Sequence, residues 1–189
     1  WSSDVCSSDL VQWIGIGRTS SFGDGSVFKG EFDGDYHTIT FENYAVGGGN
    51  SYGLFTETDG ADIKNLHVAG SFAVSGNTTV IGGIAGKATN TKFTNCSSSV
   101  NMTGGTKGGG DMGGIVSQAE AGTEIINCCN TGDLFNNSMN NQKAGGGIAG
   151  VFRGKLIENC YNLGHISNSD ETNAKVFRLG GIVGNLGVP

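Results

Sequence analysis

The sequence is poor in proline, in charge and in arginine. Its 189 residues include one proline, and charged residues make up only 15% of the chain. The net charge of −6, with only Arg18, Arg153 and Arg178 as arginines, gives no clustered basic surface of the kind that binds nucleic acid. No stretch approaches the roughly 18 consecutive apolar residues of a membrane span. We therefore expect no nucleic-acid partner and no membrane insertion.

Glycine, in contrast, is abundant and regularly placed. There are 35 glycines, whereas an average protein has about 7%. Disordered low-complexity segments usually combine glycine with proline, but here the glycines stand in register with apolar residues. This arrangement predicts turns and close packing in an ordered structure.

A short phrase recurs along the chain with a period of about 30 residues. Its most regular copy is Gly147-Ile148-Ala149-Gly150, followed by Asn159-Cys160. The other copies begin at Gly53, Gly83, Gly114 and Gly181. A repeat of this length indicates a solenoid, in which each unit buries its apolar side chains against its neighbours.

Apolar residues keep fixed distances from the asparagine of each repeat, in runs too short for a helix. Such columns predict an all-β fold, a parallel β-helix in which inward side chains of stacked strands form continuous ladders. The column that begins at His67 is mixed and is expected to face outward. The apolar columns are Ile63, Phe93, Ile125 and Ile157; Leu66, Cys96, Cys128 and Cys160; and Phe72, Met102, Leu134 and Ile166.

The predicted boundaries follow the repeat. Residues 1–10 contain Ser-Ser-Asp twice and resemble a translated sequencing adapter, with a native serine-rich leader as the alternative. Residues 11–189 form one solenoid domain, and we expect it to be a piece of a longer protein, truncated at both ends. The first rung spans 11–50 and consists of three short strands. The repeats span 51–80, 81–111, 112–144 and 145–178, and a partial repeat spans 179–189.

Three columns have a predicted role in stability. The glycine before each Ile or Leu allows either a left-handed corner or a close approach of the next rung. Asn65, Asn95, Asn127 and Asn159 are expected to form an internal hydrogen-bonded ladder, with simple turn formation as the alternative. Cys96, Cys128 and Cys160 are expected to stack as buried free thiols, because side chains about 4.8 Å apart are too distant for disulfides. A zinc site is the alternative, but no CxxC pair supports it.

No catalytic, cofactor or metal site is predicted. His37, His67 and His165 lie in different registers, and neither HExxH nor GxSxG occurs. Asp33 and Asp35, with Asp24 and Glu31 nearby, are a candidate calcium site, although Asp-Gly turn formation explains them as well. Acidic residues precede residue 63 and basic residues mostly follow residue 86, so we expect no face to collect both, which argues against an enzyme.

The segment between each repeat's last inward residue and the next repeat's glycine grows along the chain. The inserted residues, such as 103–111 and 136–143, are polar and rich in Gly, Asn, Ser and Lys. In solenoids such insertions collect on one edge, which is often the binding edge. Tolerated surface loops without a partner are the alternative.

The phrase at Gly83 to Gly86, Gly147 to Gly150 and Gly181 to Gly184 resembles the GLUG motif of bacterial surface proteins, with Thr56 and Ser117 departing from its final glycine. The resemblance implies a secreted or cell-surface, right-handed single-stranded β-helix. It further implies a non-catalytic, adhesin-like surface or spacer that binds a host glycan or matrix protein through the loop edge and adjoins further repeats or domains of a parent chain. Two alternatives are a fragment of a carbohydrate-active β-helix enzyme and an accessory region of a secreted zinc metalloprotease.

Overall fold

The computed structural model describes residues 15–17, 26–46, 49–74, 78–104, 110–136, 143–168 and 178–187. Every regular element in these residues is a β-strand, and the strands stack in parallel about 31 residues apart to form a solenoid of about four turns. The predicted all-β parallel solenoid is therefore confirmed. None of the described segments forms a helix with the length and apolarity needed to cross a bilayer.

Each complete rung contributes strands to four parallel sheets, so the prediction of three strands per rung was wrong. The additional strand arises because the Gly-Ile phrase forms a corner of its own, which separates the strand before it from the strand after it. Sheet 1 contains Gly49–Tyr52, Thr78–Gly82, Asp111–Gly113, Ala144–Gly146 and Arg178–Gly180. Sheet 2 contains Phe55–Asp59, Ala85–Thr89, Val116–Ala119, Ala149–Phe152 and Val183–Leu186.

The other two sheets begin in the first rung. Of the segment Val27 to Gly34, which we expected to form one strand, only Glu31–Asp33 is a strand, while Trp13 and Ile14 lie outside the described residues. Sheet 3 contains Glu31–Asp33, Asp62–Lys64, Lys92–Thr94, Glu124–Ile126 and Leu156–Glu158. Sheet 4 contains Thr38–Val46, His67–Val74, Ser97–Thr103, then Cys129–Asn130 with Leu134–Asn136, and Tyr161–Asn162 with Ile166–Asn168.

The predicted apolar columns are the ladders of the core. Ile63 pairs in register with Phe93, and Phe93 with Ile125, which in turn pairs with Ile157. The first three of these side chains are 0% exposed. Ile157, Cys160 and Ile166 in the last full rung are only partly buried. Since full burial of an Ile or Leu side chain contributes about 1.5–3 kcal/mol, each rung is stabilised by the ones above and below it.

The glycine before each Ile serves close approach and does not need a left-handed backbone. A Cβ atom on Gly114 would lie 2.0 Å from the carbonyl oxygen of Gly147 and 2.4 Å from Cγ of Asn130, and the φ of Gly114 is not positive. The same crowding occurs at Gly83 and Gly147. Of the two predicted reasons for this glycine column, the structure therefore supports the second.

The two departures from the final glycine also have a physical reason. Thr56 and Ser117 alternate with Gly86 and Gly150 in one column of sheet 2. The Ser117 hydroxyl donates to the carbonyl oxygen of Asp111 at 2.7 Å. A small hydroxyl side chain fits where the rungs above and below carry glycine.

Candidate functional site

The outer face of sheet 4 carries the column with the most varied chemistry. His67 pairs in register with Ser97, Ser97 with Cys129, and Cys129 with Tyr161. None of these four side chains is buried, so the prediction that this column faces outward is confirmed. Interaction with the Cys129 thiol raises the pKa of Tyr161, which indicates that adjacent side chains in the column are in contact.

The structure brings His67 between two serines of the next rung. Its Nδ1 lies 2.7 Å from the Ser97 hydroxyl, and its Nε2 lies 3.1 Å from the Ser99 hydroxyl. Ser98, between the two serines, is 0% exposed and points into the core. Sequence reasoning missed this cluster because it separated His67 from other histidines and did not ask which hydroxyls the register places beside it.

Farther along the solenoid the same face becomes apolar. Phe135, Tyr161 and Leu163 are exposed by 37%, 53% and 75% of their surfaces. Large apolar side chains on one face of neighbouring rungs indicate a contact surface more strongly than the same residues scattered singly. We call these three residues the apolar patch.

Polar side chains beside the apolar patch are held by the backbone of the next rung. Asn101 accepts a hydrogen bond from the Asp133 N–H at 2.9 Å, and Asp133 accepts one from the His165 N–H at 2.8 Å. All three residues are exposed. The column that they form is therefore ordered and accessible.

A buried pair of asparagines breaks the sheet-4 strand in the later rungs. Asn130, which is 0% exposed, donates to the carbonyl oxygen of Gly132 at 2.8 Å and to Oδ1 of Asn162 at 2.8 Å. Asn162 makes the same bond to Gly164. Each asparagine thus replaces strand hydrogen bonds with its own amide, and the strand resumes two residues later. The sequence analysis did not single out these two residues.

The predicted asparagine ladder exists, but it lies at a surface corner and was wrongly expected inside the solenoid. Asn95 donates to Asn65, Asn127 to Asn95, and Asn159 to Asn127, each at 3.2 Å. The four residues have φ between 52° and 54°, a left-handed corner that asparagine tolerates. Exposed corners suit asparagine because its remaining amide lone pairs and protons can bind water.

Asp33 begins this ladder. Its Oδ1 accepts from the Asp35 N–H and from Nδ2 of Asn65, both at 3.0 Å. These two hydrogen bonds, of which the Asp35 N–H contributes more, hold the pKa of Asp33 below its ordinary value, and the charge of Lys64 assists. With its carboxylate engaged by these donors, Asp33 offers little to a calcium ion.

The described residues contain no cluster of three or more His, Cys, Asp or Glu side chains placed to hold a metal. Asp24, which was part of the candidate calcium site, lies outside those residues.

The thiol column stacks as predicted, although not all of it is buried. Cys96, Cys128 and Cys160 are free thiols, the first two buried and Cys160 half-buried. The Cys128 N–H donates to the Cys160 sulfur at 3.4 Å. Hydrogen bonding from the Cys128 thiol lowers the pKa of Cys160 to about 7, and the same interaction raises the pKa of Cys128.

Sheet 3 and its borders collect charges of both signs, so the expectation that no face does so was wrong. Lys64 pairs with Glu31 and lies 3.8 Å from Asp33, and Lys155 Nζ lies 2.6 Å from Glu124 Oε1. The acidic and basic partners are about one rung apart in sequence, which is why a count along the chain separated them. In the fold they meet across neighbouring rungs.

The variable insertions fall between a sheet-4 strand and the following sheet-1 strand. Most of the 103–111 and 136–143 segments, namely 105–109 and 137–142, lie outside the described residues. The binding role predicted for this edge therefore stays a prediction.

Comparison with family models gives no match, and comparison with curated proteins gives no match either.

Proposed function

We propose that the chain is a non-catalytic extracellular β-solenoid module of a bacterial surface or secreted protein of the GLUG-motif type. In this proposal it acts as an adhesin-like recognition surface or spacer, with a host glycan or matrix protein as the partner. The observation that carries the proposal is the apolar patch, three large exposed side chains on one sheet face, next to the ordered polar column Asn101, Asp133 and His165.

The stacked architecture supports a spacer role as well. Each rung lengthens a parallel solenoid by about 4.8 Å, and neighbouring rungs share a continuous core. Side chains on one outer face keep constant spacing along the axis. A partner with repeating chemistry, such as a glycan chain, is matched by such a surface.

The apolar patch is tested by binding of the purified protein to glycan and matrix-protein arrays. We expect the Tyr161→Ala/Leu163→Ala variant to lose binding, because both side chains are exposed and neither is part of the core. Tyr36→Ala is the matched control, since Tyr36 is a 74% exposed tyrosine in the first rung. Equal binding by the wild type and the double variant would exclude the patch.

Deletion of 136–143 tests the loop edge in the same assay. If the loop edge is the binding surface, the deletion abolishes binding while the Tyr161→Ala/Leu163→Ala variant keeps it. If both variants lose binding, the surface extends from the apolar patch to the loop. Circular dichroism of each variant controls for loss of fold.

The charged outer face of sheet 3 favours a second candidate, a fragment of a carbohydrate-active enzyme. Glu31, Asp33 and Lys64 lie within one ion-pair group, and acid and base side chains on one face are what glycosidic bond cleavage requires. This candidate predicts release of products from an acidic polysaccharide, and loss of that activity in Glu31→Gln. No product across a broad polysaccharide panel would count against it.

A further inference from the structure

The His67, Ser97 and Ser99 cluster lies outside the apolar patch and is not used by the proposed function. Both ring nitrogens of His67 are bonded to serine hydroxyls, at 2.7 Å for Ser97 and 3.1 Å for Ser99. All three side chains are half-buried, so a small molecule can reach them. They lie in two neighbouring rungs of the solenoid, with strands of sheet 4 on both sides.

The sheet register fixes this arrangement. His67 is the register partner of Ser97, and Ser99 is two residues farther along the same strand, on the same outer face. The imidazole ring therefore spans both hydroxyls while its own backbone is held in the sheet. A histidine whose two nitrogens are both engaged has a defined orientation, which an isolated surface histidine lacks.

We propose that His67, Ser97 and Ser99 form a nucleophilic site that accepts acyl groups from small activated esters. A serine is activated when its proton can pass to a histidine nitrogen whose ring is oriented through the other nitrogen. Here Ser99 is the nucleophile and His67 Nε2 is its base. Ser97 is a positioning residue, which accepts the hydrogen bond from Nδ1–H and so keeps Nε2 free of a proton.

The reaction balances without any further reactant than water. Ser99 Oγ attacks the ester carbonyl carbon, and its proton passes to His67 Nε2. The bond from the carbonyl carbon to the leaving oxygen then breaks, and His67 returns the proton to that oxygen. Water attacks the acyl-serine with His67 again as base, so the carboxylic acid leaves and Ser99 regains its proton.

The surroundings limit the substrate to esters with good leaving groups. Backbone N–H groups of strands in the middle of a sheet are used by the neighbouring strands, as in the bond from the Ser97 N–H to the Leu66 carbonyl. Main-chain donors are therefore not directed at a developing oxyanion, which is the largest source of rate in serine hydrolases. We expect aryl acetates and fluorophosphonates to react, and unactivated alkyl esters to react far more slowly.

The test uses the intact protein with p-nitrophenyl acetate and a fluorophosphonate probe. The rate of ester cleavage is measured by absorbance, and the labelled residue is located by mass spectrometry of peptides. The variants are Ser99→Ala, His67→Gln, Ser97→Ala and Ser97→Thr. Ser167→Ala is the control, because Ser167 lies on sheet 4 in the last full rung without an assigned histidine contact. Thermal unfolding of each variant checks that the solenoid is retained.

We expect label on Ser99, none on Ser167, and no label in Ser99→Ala. His67→Gln should slow labelling about 100-fold, which is the low end of what a general base supplies. Ser97→Ala should slow it less, and Ser97→Thr should restore it because the hydroxyl returns.

Three results would overturn the proposal. These are no labelling at all, labelling of Ser97 in place of Ser99, and an unchanged rate in a folded His67→Gln variant. Binding to glycan or matrix arrays is a separate measurement, so failure of this site leaves the proposed recognition role unaffected.

Discussion

The asparagine ladder and the thiol column are one residue apart in sequence but have opposite environments. Asn127 is exposed, has a left-handed backbone and bonds its neighbours through amides, whereas Cys128 is 0% exposed and packs in the core. The corner between sheets 3 and 4 turns one side chain out and the next one in. Two stabilising ladders of different chemistry therefore come from a single dipeptide repeated in each rung.

Exchanging the two residues should break this division most severely. The variant Asn127→Cys/Cys128→Asn keeps the composition but buries an amide, which costs about 1–3 kcal/mol for each polar group left unsatisfied. It also places a cysteine in the left-handed region, at about 1–2 kcal/mol. We expect the free energy of unfolding in urea to fall by about 4 kcal/mol. A loss below about 1 kcal/mol would mean that the two environments are interchangeable.

Substitution of Asn127 alone separates backbone strain from hydrogen bonding. Asn127→Ala loses both ladder bonds and the tolerance of positive φ, so we expect a loss of about 2–3 kcal/mol in urea unfolding. Asn127→Gly keeps the backbone freedom and should lose only about 1 kcal/mol. Equal losses in the two variants would show that the ladder bonds, and not the corner, account for the conservation of stability there.

The start of the ladder at Asp33 should respond to acid. The pKa of Asp33 is lowered in the fold, so its contribution is fully present above the unfolded value of about 3.9 and is lost as pH falls through the folded value. Hydrogen bonding from Lys155 lowers the pKa of Glu124 in the same direction.

We therefore expect the urea midpoint of the wild type to decrease from about pH 5 to pH 3. In Asp33→Asn the decrease should be shallower, because the amide oxygen can still accept both hydrogen bonds but carries no charge. Glu124→Gln provides a second, independent carboxylate. Identical pH profiles for the wild type and both variants would contradict the assignment.

The thiol column should show a graded reactivity without any loss of stability. Cys160 is half-buried and its pKa is lowered to about 7, so at pH 8 most of it is thiolate. Cys128 is buried and its pKa is raised. Iodoacetamide in native buffer should label Cys160 first and leave Cys128 protected until urea is added. Labelling of Cys128 at the rate of Cys160 would indicate that the column opens in the native state.

Local pattern and repeat length were sufficient to predict the stacked parallel strands and most of the core. The columns of Ile63, Phe72 and Leu66 followed from apolar side chains at constant offsets, since in-register stacking leaves no other place for them. The number of strands in a rung did not follow. A Gly-Ile corner and a strand interior both appear in sequence as a short apolar run.

The candidate sites depended on contacts between rungs. His67 meets Ser97 and Ser99, and Lys64 meets Glu31, across about one repeat length. A reading along the chain counted these residues as unrelated. Once the register is known, the partner of each outward side chain is fixed.

By itself the sequence determined that equivalent residues of successive repeats lie on top of one another, because only stacking buries the recurring apolar side chains of units too small to fold alone. Only the tertiary structure decided which polar neighbours meet. The path of the corners and the register between rungs set which side chains point outward together, and neither is encoded in any single repeat.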